Sequence, residues 1–342
     1  MSEMRRDPLT KRWVLCGSEY GIRQVKSFHY NEKLEENSNI CINEQQKFCP
    51  LCEGNEYMTP PEIYAIRDNQ PNKPNWKVRV VPHRFPILKI EGELGLEGIG
   101  LYDKMNPIGA HEVVIESPTH SDKLDNEQLS LVFKAIRERI KDLRNDKRFK
   151  YILVYKNYGK LTGTILSHPH SNIVAMPVVP TEITTRLKTA LEYYDLKERC
   201  IYCDLIKLEQ KLDERIVYTN KNFIALTPYA SRFPFEVMIL PLKHSWNYIN
   251  ISDEELKSLA EIFNVIKEKL AKALSTTNYR YVLYNGPIKF PKKGYWESIE
   301  QDFHWSFIII PVITKEIGFE WASDFYINPT FPEEAAKYLK VI

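Results

Sequence analysis

Two histidines one residue apart form the stretch richest in chemistry, Ser167-His168-Pro169-His170-Ser171-Asn172. Side chains alternate faces along an extended strand, so His168 and His170 are expected to point the same way. The chain has only 8 histidines among 342 residues, so two on one face invite a functional reading. Pro169 removes a ladder donor and fixes φ, which favours a sheet edge or a strand start. Just upstream, Tyr158-Gly159-Lys160-Leu161-Thr162-Gly163-Thr164 offers two glycines and two threonines, suited to bringing backbone N–H groups up to an anion. One reading makes one histidine a nucleophile or base and the other a metal ligand. The other is a loop entering a strand, with both rings satisfied by hydrogen bonds.

The 6 cysteines are Cys16, Cys41, Cys49, Cys52, Cys200 and Cys203. Four of them form two C-x-x-C pairs, one in each half of the chain, and neither sits in a thioredoxin-like pattern. Metal binding is therefore expected over disulfides or redox exchange. Histidines complete two parallel sets, Cys49, Cys52, His120 and His168, then Cys200, Cys203, His244 and His304. A Cys2His2 set closes a tetrahedral zinc site with no open position, which is a structural arrangement. The alternative is that the cysteines are buried small hydrophobes. Counted back from Pro177 and Pro311, His304 falls level with His170, not His168.

The elements that must position these residues follow a repeated order. Residues 5–24 read as a turn and a strand, and residues 25–47 as a polar loop. Phe48-Cys49-Pro50-Leu51-Cys52 forms a knuckle, and Thr59-Pro60-Pro61 breaks any helix. Strands are expected at residues 76–82, from Glu112 to the turn before His120, and at Tyr151–Tyr155. Val132, Ile136, Ile140 and Leu143 mark one face of a helix over 126–145. A helical connector over 181–199 leads to a second knuckle at Cys200–Cys203. A strand from Glu236 ends at His244, and Ser252 with Glu255 makes a capping box for a helix with apolar Leu256, Leu259, Phe263, Ile266 and Leu270. Tyr281–Gly286 and Phe303–Pro311 then echo Tyr151–Gly159 and His170–Pro177. The chain reads as two copies of one unit, residues 1–180 and 181–342.

Composition narrows the function classes. Net charge is +2, with 43% hydrophobic and 27% charged residues, so neither nucleic acid nor a membrane surface is expected as partner. No stretch approaches the roughly 20 apolar residues of a membrane span. The charged N-terminus shows no signal-peptide core, which points to the cytoplasm.

These motifs resemble the galactose-1-phosphate uridylyltransferases, the transferase branch of the histidine-triad superfamily. The resemblance rests on His168-Pro-His-Ser-Asn172, Arg6-Asp-Pro-Leu-Thr10, Cys49-Pro-Leu-Cys52, Val78-Arg-Val-Val-Pro82, Asn157-x-Gly159, Arg232-Phe-Pro-Phe-Glu236, Phe303-His-Trp305 and Gly318-Phe-Glu-Trp321. It implies an α+β fold of two histidine-triad-like repeats, each an antiparallel sheet with packed helices, forming a pseudo-twofold single chain. It implies that His170 attacks the α-phosphorus of UDP-glucose, releases glucose 1-phosphate and passes the uridylyl group to galactose 1-phosphate. Ping-pong kinetics follow from such a covalent intermediate. Asn157, Gly159, Thr162, Gly163 and Thr164 would hold phosphates or ribose. Arg23, with Arg12, would reach the diphosphate across a homodimer with shared active sites, and Lys315, Glu320 and Asn328 would touch the hexose phosphate. Two zinc ions per chain are implied, with iron an option at the second set.

Four positions depart from the family pattern. Asn172 replaces a glutamine that contacts the transferred phosphate, and His83 replaces an asparagine at a nucleoside-contacting position. Tyr20 stands in place of a phosphate-binding arginine, and Ser306 in place of a histidine. They bear on nucleotide and acceptor and keep two alternatives open. One is an adenylyl transferase or phosphorylase acting on ADP-glucose or a dinucleoside polyphosphate. The other is a nucleotide-binding zinc protein without turnover.

Overall fold

The computed structural model describes residues 2–26, 49–289 and 297–342. A short hairpin comes first, β1 (Glu3–Arg6) and β2 (Trp13–Cys16). The first half then supplies β3 (Tyr64–Arg67), β4 (Trp76–Pro82), the ribbon β5 (Glu97–Ile99) and β6 (Tyr102–Lys104), β7 (Ala110–Ile115), β8 (Tyr151–Tyr158) and β9 (His170–Met176). The second half supplies β10 (Ile216–Thr219), β11 (Phe223–Leu226), β12 (Val237–Pro241), β13 (Tyr279–Tyr284), β14 (Ser306–Pro311) and β15 (Tyr326–Asn328).

Ten of these strands form one antiparallel sheet, in the order β10-β11-β12-β14-β13-β8-β9-β7-β4-β3. Five come from each half, and the order is the same read outward from the centre in either direction. The halves meet where β8 pairs with β13, from Tyr158↔Tyr279 to Val154↔Leu283. The pseudo-twofold therefore runs through a continuous hydrogen-bonded sheet.

The sheet's two faces are covered differently. Helices α1 (Asn126–Leu143) and, much later in the chain, Asp253–Leu274 pack side by side on one face. Val132, Ile136, Ile140, Leu259, Phe263 and Ile266 of these helices join Val80, Val114, Val154, Ile173, Leu283 and Phe307 of the strands in one apolar core that crosses both halves. The Ser252–Glu255 capping box is present, and Asp125 caps α1 by accepting from Gln128 N–H. The opposite face is covered in the second half by α2 (Thr181–Lys197) and α3 (Ile201–Leu212), through Ile183, Leu187, Ala190, Tyr202 and Ile206. In the first half, among the described residues, Cys49, Leu51 and Leu166 pack on Val81, Val113 and Ile115 and the rest of this face borders a cavity.

Local readings need correction in four places. Residues 5–24 contain two strand segments and a helical stretch at 19–26, because Asp7 closes a tight turn by accepting from Leu9 N–H and Lys11 N–H. Cys200 is the N-cap of α3, so Cys200–Cys203 is a helix start rather than a knuckle. Strand β3, absent from the sequence reading, begins at Tyr64, after Glu62 and Ile63. Finally β9 begins at His170, so strand alternation does not extend back to His168. The loop reading for 27–47, Cys41 and Phe48 lies outside the described residues. Among the described residues no helix is long and apolar enough to cross a membrane.

Candidate active site and metal centres

Cys49, Cys52, His120 and His168 converge, and so do Cys200, Cys203, His244 and His304, with ligand atoms in each set within 4.8 Å of one another. Sγ of Cys49 and Cys52 lie 3.8 and 3.6 Å from His168 Nδ1. Sγ of Cys203 lies 3.4 Å from His244 Nδ1 and 3.9 Å from His304 Nδ1. A tetrahedral zinc with ordinary Zn–S and Zn–N bonds has S···N edges of about 3.6 Å. His120 Nε2 is buried with no hydrogen-bond partner among the described residues, as expected of a metal-facing lone pair. The remaining histidines are oriented from behind by backbone carbonyls. His168 Nε2–H donates to Ser117 O (2.8 Å), His244 Nε2–H to Glu300 O (2.9 Å) and His304 Nε2–H to Pro241 O (2.9 Å). Hydrogen bonding from Cys200, then from His244 and His304, outweighs burial and lowers the pKa of the Cys203 thiol. Both sets can hold a metal ion and suit zinc.

The metal groups settle the register of the repeat. His304 occupies the place of His168, each with Nδ1 toward sulfur and Nε2–H on a carbonyl. The proline count, which put His304 level with His170, is overturned. The residue that corresponds to His170 is Ser306.

His170 faces a different way from His168. With Asn157, Gly163, Thr164, Asn172 and His83 it lines a cavity of about 440 Å³ on the sheet face opposite α1 in the first half. Its Nδ1 lies 2.7 Å from His168 O. A carbonyl only accepts, so Nδ1 carries the proton and Nε2 keeps its lone pair. Burial lowers the pKa of His170 from 6.5, so the ring is neutral at pH 7. On the other face of β9, Ser171 donates to Glu116, whose Oε2 accepts from buried Lys156 (2.6 Å). Lys156 also reaches Asp122 (2.8 Å), which Lys267 of the second half holds at 3.0 Å. These paired charges lock the register of the strand that carries His170.

The glycine loop is fixed from the second half. Gly159 has φ +92°, and a Cβ there would lie 2.1 Å from Asn278 Oδ1. That same oxygen accepts from Leu161 N–H at 3.2 Å. Gly163, at φ +78°, faces open space. The Thr162 and Thr164 hydroxyls donate to Gly159 O (2.8 Å) and Leu166 O (3.0 Å), so each is engaged within the loop. Gly159 and Thr162 do not themselves line the cavity.

The other expected contacts are not brought to it. Arg23 and Lys315 are exposed and line none of its wall. The Glu320 carboxylate caps its own helix, accepting from Ile317 N–H and Ile327 N–H (both 3.0 Å). Asn328 is 1% exposed and donates to Ser231 O at 2.9 Å. Both side chains are buried and engaged by backbone groups. Arg12 is held by Glu182 and Asp324, both at 2.7 Å. Sequence reasoning missed Tyr155, His111 and Asn278. His111 was visible as one of few histidines on a strand, whereas Asn278 depends on how β8 and β13 come together across the halves.

The chain thus combines a doubled antiparallel sheet, two Cys2His2 groups and a histidine facing a cavity. The profiles of the N-terminal and C-terminal domains of galactose-1-phosphate uridyl transferase match residues 1–180 and 186–308. The chain belongs to the galactose-1-phosphate uridylyltransferase family. It is 31% identical to an ADP-glucose phosphorylase of Arabidopsis thaliana over 99% of this chain and 93% of that one. It is 28% identical to a galactose-1-phosphate uridylyltransferase of Thermotoga maritima over 99% and 98%. A crystal structure of an Arabidopsis thaliana ADP-glucose phosphorylase with bound ADP-glucose superimposes with TM-score 0.82 at 29% identity, covering 100% of this chain and 99% of that one.

Proposed function

We propose that the chain transfers a nucleotidyl group from a nucleoside-diphosphate sugar through a covalent intermediate on His170, with ADP-glucose as donor and phosphate as acceptor. His170 Nε2 attacks the α-phosphorus, the bond to the bridging oxygen breaks, and glucose 1-phosphate leaves. Phosphate then attacks the adenylyl-histidine, frees the ring and leaves as ADP. The observation that carries this reading is the Nδ1–H···O=C bond of His170 to His168, 2.7 Å long. It fixes the nucleophilic tautomer and stabilises the positive charge that the ring gains as the P–N bond forms.

The remaining roles follow from position. Gly163, Thr164 and Asn157 border the diphosphate, and Asn172 donates to the transferred phosphoryl group. His83 stands at the nucleoside end. Zinc bound by Cys49, Cys52, His120 and His168 would hold rigid the loop whose carbonyl orients His170. The second zinc, or iron, would hold α3 to the sheet. A homodimer is part of the proposal, with Arg23 and Lys315 arriving from the neighbouring subunit.

The adenylyl reading departs from the uridylyl one that the motifs favoured. Two observations support the change: the 31% identity to an ADP-glucose phosphorylase, and the presence of Asn172 and His83 where uridylyltransferases carry glutamine and asparagine. The family profiles and the Thermotoga maritima relative favour uridylyl transfer to galactose 1-phosphate as the second reading. Acceptor assays decide between them. ADP-glucose consumed only with phosphate, and UDP-glucose ignored with galactose 1-phosphate, is the expected result; the reverse would overturn it.

A further inference from the structure

The cavity wall carries a second pair of histidines that attack by His170 does not itself require. His83 and His111 stack with ring centroids 4.1 Å apart and planes 8° apart. Each accepts a backbone N–H on Nδ1, from Phe85 (3.0 Å) and Ile87 (3.3 Å) respectively. A nitrogen that accepts an N–H carries no proton, so in both neutral rings the proton sits on Nε2. For His111 that proton meets Asn172 Oδ1 at 3.1 Å.

A carboxamide has ends of nearly equal shape and opposite hydrogen-bonding sense, so its direction is set by its partners. His111 donates, hence Asn172 offers its oxygen to His111 and turns its NH2 away. Among the described residues no group accepts from that NH2. Residues i and i+2 of a strand share a face, so Asn172 opens on the same cavity as His170. A phosphate is an acceptor throughout, so an inverted amide would present it with a repelling carbonyl.

We infer that His111 is a positioning residue for the transferred phosphoryl group. Acting through Asn172, it keeps an N–H donor rather than a carbonyl against the non-bridging oxygens of the α-phosphate as His170 attacks. His83 serves this by holding the His111 ring flat from the cavity side. The inference rests on the nucleotidyl-transfer reading above.

His111→Phe preserves a ring for His83 to stack on and removes the donor, while His111→Gln returns an N–H. Single-turnover formation of the His170 adduct from ADP-glucose is expected to slow about 10- to 100-fold in His111→Phe and to recover in part in His111→Gln. The discriminating readout uses ADP-glucose with sulfur at one non-bridging α-oxygen. In the parent protein the diastereomer whose sulfur meets Asn172 reacts about tenfold more slowly, since sulfur accepts weakly. In Asn172→Ala and His111→Phe that penalty shrinks toward one. A His111→Phe protein that reacts at the parent rate, or slows while keeping the full thio effect, overturns the inference. If the parent forms no adduct, it is the transfer reading that has failed. The amide orientation is then read from the Asn172 side-chain resonances of Asn-15N-labelled protein, where no change in His111→Phe overturns it.

Discussion

The two halves share a scaffold and differ in what they place on it. Aligned through their metal groups, Tyr155, Asn157, His170 and Asn172 of the first half correspond to Val282, Tyr284, Ser306 and Ile308 of the second. Four side chains with polar groups on one sheet face give way to two alkyl chains, a phenol and a hydroxyl. Ser306 is 1% exposed and its hydroxyl has no partner among the described residues, while Tyr284 and Ile308 pack with Ile183, Leu187 and Ala190 of α2. Arg186 of α2 lies over the Tyr284 ring, 4.2 Å from its centroid. A helix thus fills the position at which the first half has a cavity. The comparison separates scaffold from chemistry, since the Cys2His2 group recurs in both halves and accompanies a cavity-facing histidine in only one.

The largest expected effect breaks that asymmetry at its centre. His170→Ala should lower turnover by roughly 10⁴-fold or more, as removal of a covalent nucleophile does. Ser306→Ala should leave turnover unchanged and hold or raise the melting temperature, because a buried hydroxyl without a partner costs about 1–3 kcal/mol. A large loss of activity in Ser306→Ala would mean that the second half takes part in the chemistry.

The metal groups come next. Elemental analysis should find about two zinc atoms per chain for two closed ligand sets. Cys52→Ser should remove about one of them together with adduct formation, while Cys203→Ser removes about one, lowers thermal stability and spares more of the activity. Equal losses in both variants would erase the distinction between the halves.

The glycine loop gives a finer contrast. Gly159→Ala is forced into positive φ and against Asn278 Oδ1, and should cost about 1–3 kcal/mol with a marked loss of donor binding. Gly163→Ala meets open space and bears the backbone term alone, about 1–2 kcal/mol. Denaturant titration of the two variants checks the order.

Acidity gives the smallest effect. Burial lowers the folded-state pKa of His170, and lowers that of His111 to about 4 from 6.5. Between these values the unfolded chain binds more protons than the folded one, so stability falls as pH drops from about 6.5 toward 4. The acid limb of the adduct-forming rate should accordingly lie below pH 6.5, and a limb centred at or above it would contradict the burial of His170.

Much of this was legible in the sequence where the signal is local or repeated. The helix faces of 126–143 and 253–274, the capping box at Ser252, and both Cys2His2 sets are of that kind. The register of the second repeat was not legible, because Pro177 and Pro311 are poor anchors and only the convergence of His304 with Cys203 and His244 aligns the halves. The backbone partners of Glu320 and Asn328 were not legible either, because they come from segments distant in sequence or from a local cap. His111 and Asn278 act across strands, where linear spacing carries no information.

The central claim is that His170, and no other residue, carries the nucleotidyl group. It is tested most directly by incubating the protein with ADP-glucose, and in parallel with UDP-glucose, without acceptor, followed by mass spectrometry of the intact chain and its peptides. The account predicts one adenylyl group per chain, on His170, discharged by phosphate. No adduct with either donor, or an adduct on any other residue, would contradict it.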